Sequence, residues 1–367
     1  MRRSRSSVRS WGTRSRLRRW SALAAFLLLG VVLPSAAGAA GPADRYAQVN
    51  LVSDLPGVAR VTDPNLINPW GLSQGPTTPV WAADQGTSLS TIYPGAVGPS
   101  PITIAPLVVS IPGGPPTGTV FNLSPTGFNV SVGGATGTAR FMFATLGGAI
   151  VAWTPEIAPA TQAHVVATTP GAAYTGLTQL GSRLYAADFA GGKIDVFDDQ
   201  FQPVTGAGFR DPTLPAGFKP FNVQKLFGQI YVAYALSDPA TGRDVPGVGN
   251  GFVDVYTANG RFVRRLASAG QLNSPWGLVV APSRFGRFSG DVLVGNFGDG
   301  QIHAYNARTQ RFHGTLLAAD GAPIQIEHLW ALRFGNGVTG TTRELLFSAG
   351  IGNELHGLLG KLVAVSP

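Results

Sequence analysis

One strand–turn–strand phrase recurs along this chain at a nearly constant period, and that repetition restricts it to few architectures. Residues 184–197 read Leu-Tyr-Ala-Ala-Asp-Phe-Ala-Gly-Gly-Lys-Ile-Asp-Val-Phe, two short apolar runs around a polar, glycine-rich break. That is the signature of two strands joined by a tight turn. Residues 292–305 repeat it, with six positions from Asn296 to Ile302 as from Asp188 to Ile194. Residues 80–93 and 140–153 align with the same phrase without a gap.

Each phrase follows an opening motif. Asn68-Pro69-Trp70-Gly71-Leu72 returns as Ser274-Pro275-Trp276-Gly277-Leu278, and in weaker form as His328-Leu329-Trp330-Ala331-Leu332. Tyr174-Thr175-Gly176-Leu177, Phe221-Asn222-Val223 and Phe128-Asn129-Val130 take the equivalent places. The starts at 70, 128, 176, 222, 276 and 330 are 46 to 58 residues apart. A period near fifty made only of strand signals predicts radial four-stranded sheets, not a helical solenoid. The fold expected is therefore all-β, a six-bladed β-propeller over residues 41–367. The unit-less strand at residues 46–52 is expected to close the ring by joining the last blade beside residues 360–365. Closure would leave no open sheet edge.

The charge of +8 is misleading as a guide to partners. Eight of the 27 basic residues lie within the first nineteen positions, and the other 19 face 19 acids. The folded part is then close to neutral, which argues against nucleic acid as a partner. The basic segment is followed by a fourteen-residue apolar run, residues 20–33, and by the small triplet Ala37-Gly38-Ala39. This is the layout of a signal peptide over residues 1–40, too short for a stable membrane span. The expected location is periplasmic or extracellular, with Sec and twin-arginine export both open. Cysteine is absent, so neither disulfides nor thiolate metal sites arise.

The wording of the motifs is similar to that of NHL-type propellers. Residues 68–73, 81–87, 274–278 and 357–362 resemble an uncharacterised family of exported bacterial propeller proteins. Some members of that family end in a PEP-type sorting tail, which this chain lacks. The resemblance spans about residues 46–365 and implies a fold without implying an activity.

Two units carry polar excursions at the same turn, residues 237–251 and 349–356. Insertions on one face of a propeller commonly line its binding mouth. Asp84, Asp188 and Asn296 share one repeated position, where a short acceptor suits the amides of the following turn. Around the strand openings, Asn222, Glu327 and Glu354 are candidate ligands for a divalent cation such as calcium, which takes oxygen donors as in propeller lactonases. Asn68, His328 and His356 are candidate ligand-binding residues at the same mouth. The competing reading is that these side chains satisfy backbone groups at strand ends. Gly71-Leu72-Ser73-Gln74-Gly75 matches G-x-S-x-G, yet no helix follows to make a nucleophile elbow. The tryptophans past the leader fall at repeat positions and are expected to pack between blades.

Two functions follow from these features. The first is a non-catalytic, monomeric binding or scaffold module for an envelope or extracellular ligand, which makes an enzyme the less favoured reading. The alternative is a metal-assisted, lactonase-like hydrolase or lyase acting at the central channel.

Overall fold

The computed structural model describes residues 45–365. The expected leader, residues 1–40, lies outside them. The described chain is built of strands, with one short 3-10 turn at Gly286–Phe288. No helix among the described residues is long and apolar enough to cross a membrane.

Six antiparallel sheets are arranged as blades. Their innermost strands are Pro69–Ser73, Pro116–Phe121, Tyr174–Leu180, Phe218–Leu226, Pro275–Val280 and Leu329–Phe334. Each touches the next in this order, and the last touches the first, so the ring is closed. The second strands, such as Val80–Asp84, Phe141–Thr145 and Leu345–Ala349, are buried along their whole length. A blade between two neighbours has both faces covered, so these strands read as apolar runs without alternation.

The strand Arg45–Ser53 completes blade 6. It pairs antiparallel with Leu358–Val365 from Arg45↔Val365 to Ser53↔Leu358, with one bulge between Asn50 and Val52. Blade 6 is thus assembled from both ends of the described chain, as the orphan strand had suggested. Tyr46 also anchors this strand to blade 5. Its ring lies 4.8 Å from that of Phe285, and its hydroxyl donates to the Phe285 carbonyl at 3.0 Å.

One expected blade start is displaced. Blade 2 opens at Pro116–Phe121, not at Phe128-Asn129-Val130. The latter belongs to an inserted hairpin, Asn129–Val132 paired with Ala135–Thr138. Phe128 sits in a hydrophobic cluster with Phe201. Its buried aromatic mimicked an opening motif, while the true one, Thr117-Gly118-Thr119, carries no large apolar residue.

The true register explains the glycine of the opening motif. Gly71, Gly118, Gly176, Asn222, Gly277 and Ala331 occupy equivalent places, where neighbouring inner strands come close. A Cβ on Gly71 would lie 2.5 Å from the Thr117 carbonyl oxygen and 2.9 Å from the Thr119 nitrogen. One on Gly277 would lie 2.8 Å from the Trp330 carbonyl oxygen. The ring can therefore close tightly only if most of these side chains are missing.

Three tryptophans fill the centre. Trp70 and Trp330 stack with ring centroids 3.6 Å apart, and Trp276 meets both edge-on at 6.4 and 5.7 Å. Each of two indoles is tied to another blade. Trp276 Nε1 donates to the Thr175 carbonyl at 3.0 Å, and Trp330 Nε1 to Asn68 Oδ1 at 2.9 Å. Beyond them, the space bordered by Leu72, Leu177, Leu278 and Leu332 is about 20 Å³, roughly the room one water needs. The axis is plugged, and its two ends are separate hollows.

Candidate functional site

The inner strands all run the same way along the axis, so one hollow lies where they begin and the other where they end. The hollow at their beginning is a funnel of about 260 Å³. Trp70, Trp330, Phe189 and Phe221 form its floor, and Gln85, Arg243, Asp244 and Glu354 its polar wall. Each aromatic is at most 7% exposed, because the same rings seal the axis below.

Apart from Gln85, the wall is made by the two excursions noticed in the sequence. They lie between the second and third strands of their blades, Gln229–Leu236 and Gly251–Tyr256 in blade 4, Leu345–Ala349 and Leu358–Val365 in blade 6. Both therefore emerge at the same end. Arg243 of one donates through Nη2 to Glu354 Oε2 of the other at 2.7 Å. The bond and the charge of Glu354 raise the Arg243 pKa above its ordinary value, and burial raises that of Asp244.

Three buried polar atoms of residues lining this funnel lack a hydrogen-bond partner: Trp70 Nε1, Asp244 Oδ2 and Glu354 Oε1. An orphaned buried polar atom is costly, about 1–3 kcal/mol each. The funnel itself presents the carboxylates of Asp244 and Glu354 and the amide of Gln85 beside an aromatic floor.

The residues singled out from the sequence have separate surroundings. Asn68 lies just below the funnel wall, accepting from Trp330 and donating through Nδ2 to Gln85 Oε1 at 2.9 Å. Asn222 donates to the Trp276 carbonyl at 2.7 Å and borders the small space on the axis. Glu327 is exposed and accepts from the amides of Gly352 and Asn353 at 3.1 and 3.0 Å, which lower its pKa. His328 stacks on Phe297 at 4.7 Å, with Nδ1 3.1 Å from the Gly350 carbonyl oxygen. His356 Nδ1 lies 2.7 Å from Asp54 Oδ2, beyond the strand that closes the ring. Of the six, only Glu354 lines the funnel directly. Asn222 borders the small axial space, Glu354 the funnel, and Glu327 the amides of Gly352 and Asn353. Among the described residues no group of three or more His, Asp or Glu side chains is placed to hold a metal ion.

The repeated acceptor position behaves as expected only at Asp188, whose Oδ1 accepts from the amides of Gly191 and Ala173. Asp84 instead accepts from the Thr91 hydroxyl at 2.8 Å, and burial holds its pKa well above the ordinary value. Asn296 donates to the Gln271 carbonyl and to Asp299.

Arg243 and Asp244 were not singled out from the sequence, although the excursion holding them was. Their only signal was its placement opposite the other excursion.

No protein-family profile matches the chain. It is 31% identical over 324 residues to the uncharacterised protein R648 of Acanthamoeba polyphaga mimivirus, covering 85% of this chain and 78% of R648. To protein L690 of the same virus it is 31% identical over 327 residues, covering 85% and 84%. Among solved structures it is similar to a streptogramin B lyase, at 12% identity and TM-score 0.48 over 86% of this chain and 96% of the lyase. A virginiamycin B lyase from Staphylococcus aureus is similar at 12% identity and TM-score 0.45, over 88% and 99%. These two likenesses transfer no chemistry.

Proposed function

The chain belongs to the family of the mimivirus proteins R648 and L690, and we propose that it serves as a non-catalytic binding module whose axial funnel takes a single neutral sugar ring. The reading rests on a polar wall of Gln85, Asp244 and Glu354 over an aromatic floor. A pyranose presents apolar C–H faces to aromatic rings and hydroxyls around its rim. Those hydroxyls donate to the carboxylates of Glu354 and Asp244 and meet the Gln85 amide. A volume of about 260 Å³ falls below the usual range for drug-sized ligands and suits one ring, free or at the end of a polysaccharide. With the leader over residues 1–40, the module acts outside the cytoplasm, as a monomer, on an envelope or extracellular glycan.

The test is calorimetric titration of the protein without its leader against a panel of neutral mono- and oligosaccharides. Glu354→Gln and Asp244→Asn should each weaken binding by about tenfold, the worth of one hydrogen bond to a charged group. If no sugar in the panel binds the folded protein, the reading is wrong.

The pair of unpartnered carboxylate oxygens also favours a second reading, a metal-assisted lactonase-like hydrolase or lyase. There Asp244 would join Glu354 as an oxygen donor to calcium, in place of Asn222 and Glu327. Equilibrium dialysis against calcium separates the two. One ion held per chain and lost in Glu354→Gln would select the enzyme.

A further inference from the structure

The hollow at the opposite end of the axis is larger, about 390 Å³, and its chemistry is reversed. It is lined by Arg333, Lys225, Gln74, Thr119, Thr178 and other residues that include no Asp or Glu. Arg333 holds an equivalent register place to Ser73, Val120, Thr178, Gln224 and Val279 on the other inner strands. One blade in six thus turns a guanidinium to this mouth where its fellows place neutral side chains.

Arg333 is poorly compensated. Nη2 donates to the Gln74 carbonyl at 2.8 Å, while Nε is buried without a partner. No carboxylate among the described residues lies within 4 Å of it, whereas Arg265 pairs with Asp211 and Asp254, and Lys361 with Glu344. Burial alone pulls the Arg333 pKa down to about 10, so it stays charged at neutral pH. The Lys225 ammonium makes no ion pair among the described residues either. Arg333 is half-buried, and a cation so shielded without a counter-charge is unfavourable; its guanidinium, with the Lys225 ammonium lining the same mouth, offers donors to the oxygens of a planar or tetrahedral anion.

We propose that this second mouth binds a small oxyanion, a carboxylate or phosphate group, on Arg333 with Lys225. The site does not depend on what the funnel binds, since the tryptophan plug separates the two. The anion supplies the counter-charge that no neighbouring side chain provides.

The experiment uses the protein with its funnel intact and follows thermal melting and titration heat at constant ionic strength, with chloride replaced by inorganic phosphate or by acetate. The proposal expects a rise in melting temperature and saturable heat with at least one of them. Response to phosphate alone identifies a phosphate group, and response to acetate alone a carboxylate. Arg333→Gln should weaken binding by about tenfold or more, as loss of a charged hydrogen-bond partner does. Lys225→Gln, at an exposed position, should weaken it several-fold without disturbing the fold. If Arg333→Gln does not fold, the wild-type titration and Lys225→Gln decide. Absence of any response to both anions in the wild type overturns the proposal. So does unchanged binding in a folded Arg333→Gln or in Lys225→Gln.

Discussion

Arg243 and Glu354 lie 111 residues apart in sequence and meet at 2.7 Å above the axis. Their bond joins the excursion of blade 4 to that of blade 6, so two loops from different blades form one wall. The Arg243 side chain is 65% exposed, and an ion pair so open to water contributes little to global stability, about 0–1 kcal/mol. Its role is to hold the loops in place.

Arg243→Ala is therefore expected to leave the melting temperature almost unchanged while freeing residues 237–250. Limited proteolysis should show faster cleavage within that segment. Equal cleavage rates in wild type and variant would mean that the pair does not restrain the loop.

Ring closure by Arg45–Ser53 makes a strong prediction about stability. Tyr46, Leu51 and Val52 are each at most 1% exposed, and burying such side chains is worth about 1.5–3 kcal/mol apiece. Deleting residues 46–52 should lower the melting temperature sharply. Tyr46→Ala alone should cost about 3–5 kcal/mol in urea unfolding, the usual cost of emptying a large aromatic site. A melt unaffected by the deletion would show that blade 6 is stable with three strands.

The glycine near the head of four of the six inner strands is explained by proximity to the next blade. Gly71→Ala places a methyl against backbone, which cannot step aside as a side chain can, and should cost about 1–3 kcal/mol. The reverse exchange at the equivalent position of blade 6, Ala331→Gly, relieves no crowding and should cost about 0.5–1 kcal/mol. Chemical denaturation of the two variants checks the asymmetry.

Acid should weaken the protein through His303. This ring is buried, with Nδ1 3.0 Å from the Thr315 hydroxyl. Burial lowers its pKa below 6.5. The unfolded chain then takes up a proton first, so stability is full above about pH 6.5 and is lost as pH falls toward the folded value. Asp254, raised by burial to about 6, acts in the opposite sense, so the comparison must be between wild type and His303→Gln. Their stability difference should shift in favour of the variant from pH 7.5 to pH 5; a difference independent of pH would exclude His303 as the linked group.

Blade number and ring closure were legible because they depend on hydrophobic periodicity, which short strands display in sequence. Blade 2 was misplaced because its opening strand is identified by Gly118, a residue defined by crowding from the next blade and invisible to periodicity. The funnel was half legible. Its two excursions announced themselves as interruptions of the repeat, and Glu354 was among the residues picked from them. Arg243 and Asp244 gain meaning only when the ring brings residues 237–250 over Trp70 and Trp330. Glu327, His328 and His356 stood near the correct openings, but direction decides their use, and each is turned to a loop amide, a carbonyl or an aspartate outside the funnel. Arg333 gave no signal, since a lone arginine in an otherwise apolar strand reads as a solvated end.

The indole stack at the centre turns what propeller geometry would leave as a pore into a bulkhead. Nothing as large as a sugar or an anion can travel from one mouth to the other, so occupants of the two ends never compete for space. Any influence of one on the other has to be mechanical, carried by slight tilts of six short strands.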